Sequence, residues 1–279
     1  MTSNISERNW IVPLLLYLIV LAIFVVRTLL AISTEVLMLF DIFNLGVLFL
    51  SVPILFKGYS LLTRDDVLLV IAVGLLLGIS ITFTTFYAIL RFYDPILTSI
   101  GHGVSISIIL SAGLIMRKKD GPVHLATSER KFADVGKGIL VGLLIGIPFA
   151  VINAYAFTLM EGQPFIWQDP FLSALRALQP GMVEEIIYRL AFLNMLWFVF
   201  SKYVPNHAVP LAAFLSLIVH NYSHMSDLFV VQPVFAIAYG AAMGLLFGLP
   251  PTILALRRNL ESAMAFHWIV DFVRFLSGF

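Results

Sequence analysis

The sequence contains no cysteine and few charged residues. The absence of cysteine excludes disulfides, thiolate nucleophiles and cysteine-ligated metal sites, and it leaves the redox compartment undetermined. Only 12% of the 279 residues are charged and 60% are hydrophobic, whereas soluble globular chains have about a quarter charged and about half apolar residues. No basic run is long enough to indicate nucleic-acid binding. Together with a mean hydropathy of +0.99, this composition predicts an integral membrane protein.

The apolar residues are grouped in segments long enough to cross a bilayer, which takes about 20 residues in a helix. We therefore predict an all-α polytopic membrane protein with about eight or nine transmembrane helices. The candidate spans are residues 10–30, 36–56, 66–90, 96–116, 136–160, 172–200, 207–222, 231–249 and 260–279. No small-residue cleavage site follows the first span, so we interpret it as an uncleaved helix.

The lysines and arginines indicate the orientation, because cytoplasmic loops of membrane proteins are enriched in them. If the helices alternate and the N-terminus is cytoplasmic, 12 of the 17 basic residues lie inside. This bias predicts a multi-pass protein of the cell membrane with its N-terminus in the cytoplasm. We divide the chain into N-terminal transmembrane helices (1–116), a basic cytoplasmic loop (117–135) and C-terminal transmembrane helices (136–279). We expect the loop to be a solvated linker and Glu261, at the mouth of the last span, to be solvated as well.

The ionisable residues that fall inside the predicted spans are concentrated in the C-terminal half of the chain. Such residues cost about 2.5 kcal/mol or more in hydrocarbon, so they are rare and usually functional. Glu185 and Arg189 are spaced i, i+4 with the acid first, which favours an ion pair on one face of a helix. Glu184 points in another direction, so its carboxylate is available for chemistry. Pro180 and Gly181 disfavour a continuous helix and predict that a new helix begins near Met182.

Histidines supply the other polar groups of these spans. His267 and Asp271 are spaced i, i+4, so the carboxylate can orient the imidazole and set its tautomer. His220 and His224 have the same spacing on another span. The three spans that carry Glu184 and these histidines would bring them together only around a shared intramembrane cavity. Such a cavity, which we place in the C-terminal half, has the groups needed to activate water and stabilise an oxyanion.

Three motifs in this half resemble the pattern of the CAAX protease and bacteriocin-processing (CPBP, Abi) family of intramembrane endopeptidases, similar to type II CAAX prenyl endopeptidases. The motifs are Glu184-Glu185-x-x-x-Arg189, the histidine His220, and His267-x-x-x-Asp271. Gly240 and Gly244 also resemble the glycine-bearing helix of that family, since small residues let helices approach closely. The resemblance implies that the C-terminal transmembrane helices form the catalytic core.

The resemblance also implies a role for each residue. Glu184 with His220 would activate the hydrolytic water, while His267 and Asp271 would stabilise or position the oxyanion. Glu185 and Arg189 would be orienting or structural residues. The family's second motif has an aromatic residue four positions before its histidine, whereas this chain has Ser216 there, so His224 is a secondary candidate. The third motif often ends in asparagine, and Asp271 brings a negative charge in its place.

The function that the resemblance implies is hydrolysis of a peptide bond in a membrane-associated peptide or lipidated protein. CAAX-type processing and a bacteriocin-immunity-like role both fit, and no metal or other cofactor is expected. One alternative is a zinc-dependent version of the same protease, with Glu184, His220 and either His224 or His267 as ligands. Others are a non-catalytic membrane scaffold or immunity protein of the same fold, or a transporter. The sequence specifies neither the substrate nor the oligomeric state.

Overall fold

The computed structural model describes residues 9–83 and 88–279, and no β-strand occurs within these ranges. The all-α class is therefore confirmed. The helices are α1 (Ile11–Ala31), α2 (Leu39–Gly58), α3 (Arg64–Ser80), α4 (Pro95–Lys118), α5 (Phe132–Glu161), α6 (Pro170–Leu178), α7 (Asn194–Tyr203), α8 (Ala208–Ser223), α9 (Ser226–Val231), α10 (Pro233–Met243), α11 (Leu249–Arg257) and α12 (Leu260–Leu276). Two π-helical segments, Gln179–Leu193 and Gly244–Gly248, and short 3₁₀ turns, Tyr59–Leu61, Ile81–Phe83 and Pro205–His207, connect some of them.

Six helices in the described part of the chain are long and apolar enough to cross a membrane. They are Ile11–Ala31, Leu39–Leu61, Arg64–Phe83, Pro95–Lys118, Phe132–Glu161 and Pro233–Arg257. The chain is accordingly an integral membrane protein. Helices also occupy the expected spans 207–222 and 260–279, but α8 has 16 residues and α12 has 17, fewer than the about 20 that cross hydrocarbon. A count of eight or nine spans stays a prediction.

The helix that carries His267, α12, lies in close contact with α5 along a stripe of glycines. A Cβ atom added at Gly142 would be 2.2 Å from the backbone oxygen of Ser262, and one at Gly146 would be 2.4 Å from Cγ2 of Ile269. Glycines at this spacing let two helix backbones approach more closely than any side chain would allow. The contact therefore fixes the position of α12 against α5.

The helix that carries Glu184 does not begin where the sequence predicts. Pro180 and Gly181 lie inside a continuous helical run from Pro170 to Tyr203, so the predicted restart near Met182 is wrong. The run accommodates the proline by changing its hydrogen-bond pattern, since residues Gln179–Leu193 are π-helical. The glycine has a packing reason, because a Cβ atom there would be 2.8 Å from Cα of Trp268 on α12. Wide turns of this kind occur frequently at functional sites.

The segment between α4 and α5, residues 119–131, is packed against the protein in part. Its buried residues include Val123, Leu125 and Ala126, and its exposed residues are Lys119, Asp120, His124, Arg130 and Lys131. Glu261 is buried, and its carboxylate accepts hydrogen bonds from the backbone nitrogens of Ala126 (3.1 Å) and Thr127 (2.7 Å). The backbone nitrogen of Leu260 donates to the carbonyl oxygen of His124 over 2.8 Å. The expectation of a solvated Glu261 is therefore wrong, because its carboxylate replaces water as the acceptor for two backbone nitrogens of the segment. The expectation of a solvated linker holds only for the exposed residues of the segment.

Candidate active site

A cavity of about 320 Å³ lies between the π-helical segment Gln179–Leu193, α8, α10 and α12. Its lining includes Glu184, His220, His224, His267, Asp271 and Arg274. The first five are residues that the sequence singles out. They come from three separate segments of the chain: the π-helical segment, the C-terminal end of α8, and α12. Both Glu184 and His220 are almost completely buried, at 4% and 5% exposure, which removes them from competing solvent.

One carboxylate oxygen of Glu184 faces three imidazoles. Its Oε2 atom lies 2.5 Å from Nε2 of His220, 3.6 Å from Nε2 of His224 and 3.8 Å from Nε2 of His267. The hydroxyl of Tyr188, the residue one helical turn away, instead donates to Oδ1 of Asn44 on α2 over 2.8 Å. The carboxylate is thus directed to the histidines and is not shared with its own helix.

The hydrogen bonds of His220 define its tautomer. Nη1 of Arg189 lies 2.8 Å from Nδ1 of His220, and an arginine nitrogen can only donate. Nδ1 is therefore the acceptor, and the ring proton of neutral His220 is on Nε2, where it points at Glu184. Ser216, at the position of the family's aromatic residue, donates to the backbone oxygen of Tyr188 over 2.5 Å. The ring of Tyr188 stacks on His220, with centroids 4.6 Å apart. An aromatic residue therefore contacts this histidine, but it comes from the π-helical segment and not from α8.

His267 has a carboxylate oxygen at each ring nitrogen. Nδ1 lies 2.7 Å from Oε1 of Glu185, and Nε2 lies 3.2 Å from Oδ2 of Asp271. A carboxylate only accepts, so the doubly protonated ring satisfies both contacts and carries a positive charge. Glu185 also pairs with Arg189 at 3.1 Å, as its spacing predicts. Its second contact, with His267, has no signal in the sequence, because the two residues lie on different helices.

His224 lies at the edge of the site. It follows the last residue of α8, and its side chain is 29% exposed, compared with 6% for His220. Its ring contacts that of Phe40 on α2, with centroids 4.6 Å apart. The residue nevertheless lies close enough to form a potential metal-binding group, since ligand atoms of Glu184, His220 and His224 are all within 4.8 Å of one another.

A zinc ion fits this donor set in residue type, because two histidines and one carboxylate are common zinc ligands. The hydrogen bond from Arg189 argues against it at His220. A metal on Nε2 requires the lone pair of that nitrogen, and the ring proton would then have to sit on Nδ1. Nδ1 already accepts from Arg189 over 2.8 Å, so a metal would require the loss of this bond or the loss of both ring protons.

Arg274 also lines the cavity, although it is not among the candidate residues predicted from the sequence. Its Nη2 atom lies 2.9 Å from Oδ1 of Asp271. The guanidinium lies over the ring of Phe275 at 4.5 Å and that of Phe157 at 5.4 Å. The i, i+3 spacing from Asp271 is the sequence signal that would have identified this residue.

Comparison with known proteins bears on the C-terminal half of the chain. No curated protein and no solved structure matches the chain significantly. The family model described as "Rce1-like: Type II CAAX prenyl endopeptidase Rce1-like" matches residues 166–273. This segment contains Glu184, Glu185, Arg189, His220, His224, His267 and Asp271. The resemblance recognised in the motifs is confirmed: over residues 166–273, the chain is similar to the Rce1-like type II CAAX prenyl endopeptidases.

Proposed function

We propose that this chain is an intramembrane endopeptidase that uses a glutamate and histidines to hydrolyse a peptide bond. The observation that carries the proposal is the position of Glu184, a buried carboxylate whose Oε2 atom lies within 3.8 Å of Nε2 of three histidines. A buried ionisable group in a membrane protein is expensive unless it has a function. The match to a family of CAAX endopeptidases supports the same reaction class.

In the proposed reaction, Glu184 removes a proton from a water molecule in the cavity. The water oxygen attacks the carbonyl carbon of the scissile peptide bond, and the carbonyl oxygen becomes an oxyanion. Collapse of this intermediate breaks the carbon–nitrogen bond, and Glu184 returns the proton to the leaving amine. His220 supports Glu184 in both steps by donating a hydrogen bond from Nε2 to the carboxylate over 2.5 Å.

His267 is proposed to stabilise the oxyanion through its positive charge. Its ring is held by Glu185 and Asp271 at 2.7 and 3.2 Å, and it faces the cavity near Glu184. A cationic group held in place before the reaction stabilises developing negative charge without a reorganisation cost. Asp271 would orient this ring, and Glu185 with Arg189 would hold both histidines.

The proposed substrate is a hydrophobic or lipidated peptide that reaches the cavity from the bilayer. CAAX-type processing and a bacteriocin-immunity-like role are the two settings we consider. We further propose eight or nine spans in the cell membrane with the N-terminus in the cytoplasm. The enrichment of lysine and arginine on the predicted inner side supports this orientation.

The test is cleavage of fluorogenic hydrophobic and lipidated peptides by the purified protein in lipid nanodiscs. Glu184→Gln keeps the shape of the side chain and removes the base, so turnover should fall at least about a thousandfold. Glu161→Gln, at the exposed end of α5, is the matched control and should leave turnover unchanged. Undiminished turnover in a folded Glu184→Gln variant would overturn the proposal.

A zinc-dependent version of the protease is the second candidate, because Glu184, His220 and His224 lie within ligand distance of one another. It predicts that a chelator abolishes turnover and that zinc restores it. It also predicts that His224→Gln is as damaging as His220→Gln. The glutamate mechanism predicts that turnover is indifferent to the chelator and is reduced only a few-fold in His224→Gln, because the side chain of His224 is 29% exposed at the edge of the site.

A further inference from the structure

Asp271 is held from two sides by groups of opposite charge. Its Oδ2 atom lies 3.2 Å from Nε2 of His267, and its Oδ1 atom lies 2.9 Å from Nη2 of Arg274. Asp271 is 5% exposed, so water screens these contacts only slightly. The carboxylate therefore bridges His267 and the arginine, with one oxygen for each.

The charges of the site balance only when Arg274 is counted. The carboxylates in mutual contact with the histidines and arginines are Glu184, Glu185 and Asp271. The cations are Arg189, Arg274 and the doubly protonated His267. Removal of Arg274 would leave one carboxylate in excess in a region of low dielectric, where an uncompensated charge is costly.

The position of Arg274 is itself constrained. Its guanidinium contacts the rings of Phe157 and Phe275 at 5.4 and 4.5 Å, and cation–π contacts of this kind favour one arrangement of the side chain. Its Nε atom is buried and has no hydrogen-bond partner among the residues that the structure describes. Burial of Nε without a partner is therefore unfavourable, whereas Nη2 of the same side chain forms the ion pair with Asp271.

We infer that Arg274 is a positioning residue, which neutralises Asp271 and thereby holds that carboxylate against His267. This inference rests on the proposed function for its catalytic consequence. Without Arg274, the buried Asp271 would rotate toward water or take up a proton, and His267 would lose one of its two fixed contacts. The imidazolium that is proposed to stabilise the oxyanion would then be misplaced, although no group that touches the substrate has been changed.

A double-mutant cycle tests the inference. The variants are Arg274→Gln, Asp271→Asn and the combination of both, and Arg176→Gln is the control. Each single change leaves one charge without its partner, so we expect kcat to fall about tenfold or more and Tm to fall, with KM nearly constant. In the combination neither charge is present, and the amide oxygen introduced by Asp271→Asn can still accept from His267. We therefore expect kcat to recover to within about threefold, and Tm to within a few degrees, of the values of the unaltered protein.

Three results would overturn the inference. Losses in kcat that simply multiply in the combined variant would show that the two residues act independently. A loss confined to KM would show that Arg274 contacts the substrate itself, and an Arg274→Gln variant that behaves like Arg176→Gln would show no role. If Arg274→Gln fails to fold, Arg274→Lys replaces it, and this variant should keep most of the turnover because it keeps the charge.

The same cycle separates this inference from the proposed function. Thermal unfolding in nanodiscs requires no substrate, so the coupling between Asp271 and Arg274 in Tm is measurable whether or not the protein cleaves peptides. Additive effects on Tm would overturn the pairing even in an active protease. Coupling in Tm together with undiminished turnover in Glu184→Gln would overturn the proposed function and leave the pairing in place.

Discussion

Arg189 donates a hydrogen bond to Nδ1 of His220 over 2.8 Å, and this contact determines which nitrogen of the histidine faces Glu184 with a proton. The same Nη1 atom pairs with Glu185 at 3.1 Å. Nη2 donates to the backbone oxygen of Gly248 over 3.3 Å. One arginine therefore ties the π-helical segment to α8 and to the second π-helical segment, and it links Glu185 to His220.

The first prediction concerns this arginine. Arg189→Lys keeps a positive charge for Glu185 but loses the planar group that reaches His220 and Gly248 at once. We expect kcat to fall about ten- to a hundredfold, as is typical when a partner that orients a functional histidine is changed. Arg176→Lys is the control. Nitrogen-15 NMR of labelled histidines should show a mixed tautomer for His220, and an unchanged kcat with an unchanged His220 signal would contradict the assignment.

The second prediction concerns metals. Because Nδ1 of His220 accepts from Arg189, we expect a chelator to leave turnover unchanged. Excess zinc should instead inhibit, since it would compete for the carboxylate of Glu184 and for His224 at the cavity edge. Turnover is measured after dialysis against chelator and during zinc titration. Loss of turnover on dialysis, with recovery at one equivalent of zinc, would establish the metal-dependent alternative.

The third prediction concerns the contact between α5 and α12. Alanine is favoured over glycine in a helix by about 1 kcal/mol, so Gly136→Ala, where a Cβ atom meets nothing within 4 Å, should leave Tm unchanged or raise it. Gly142→Ala places a Cβ atom 2.2 Å from the backbone oxygen of Ser262. Overpacking of this kind costs about 1–3 kcal/mol, so Tm should fall. Equal effects at the two glycines would show that the close contact is absent.

The fourth prediction concerns pH and the segment 119–131. Burial by itself would raise the pKa of Glu129, but hydrogen bonds from Lys131, His124 and Arg117 outweigh it and lower that pKa from 4.5 to about 2. A carboxyl group whose pKa is lower in the folded state stabilises the fold above its unfolded pKa. This contribution is therefore complete above a pH of about 4.5 and is lost as the pH falls toward about 2.

Thermal unfolding of Glu129→Gln and of the unaltered protein measures this effect. The difference in Tm between the two should be largest near pH 7 and should shrink steadily as the pH falls from 4.5 toward 2. Glu161→Gln, with an exposed carboxylate at the end of α5, is the control and should not lower Tm at neutral pH. A Tm difference for Glu129→Gln that does not change with pH would contradict the ionic origin of the stabilisation.

Several features of the protein could be predicted without coordinates because they depend on local spacing. The ion pair of Glu185 and Arg189 and the contact of His267 with Asp271 are both i, i+4 relationships, and the structure has them at 3.1 and 3.2 Å. The short motifs were sufficient to recognise the resemblance to a family whose model matches the same part of the chain. Spacing did not reveal that Glu185 also holds His267, because that contact joins two helices.

Local rules failed where packing between distant segments outweighed them. Pro180 and Gly181 predict a helix break, yet the helix continues through them as a π-helix, and the glycine makes room for Trp268. Glu261 is polar enough to predict solvation, yet it is buried and accepts hydrogen bonds from the backbone nitrogens of Ala126 and Thr127. Helix propensity and residue polarity are properties of a local segment. They do not include contacts with distant residues, such as that of Gly181 with Trp268 or that of Glu261 with Ala126 and Thr127.

The sequence by itself determined that the chain lies in a membrane, that it is helical, and which ionisable residues are candidates for catalysis. Long apolar segments must form helices in a bilayer, because backbone groups have no water to bond there. The few ionisable residues within them are expensive and therefore stand out. Tertiary structure decided how these groups meet: which nitrogen of His220 faces Glu184, which carboxylates hold His267, and that Arg274 belongs to the site. These are relationships between helices, and only the packing of one helix against another sets their distances.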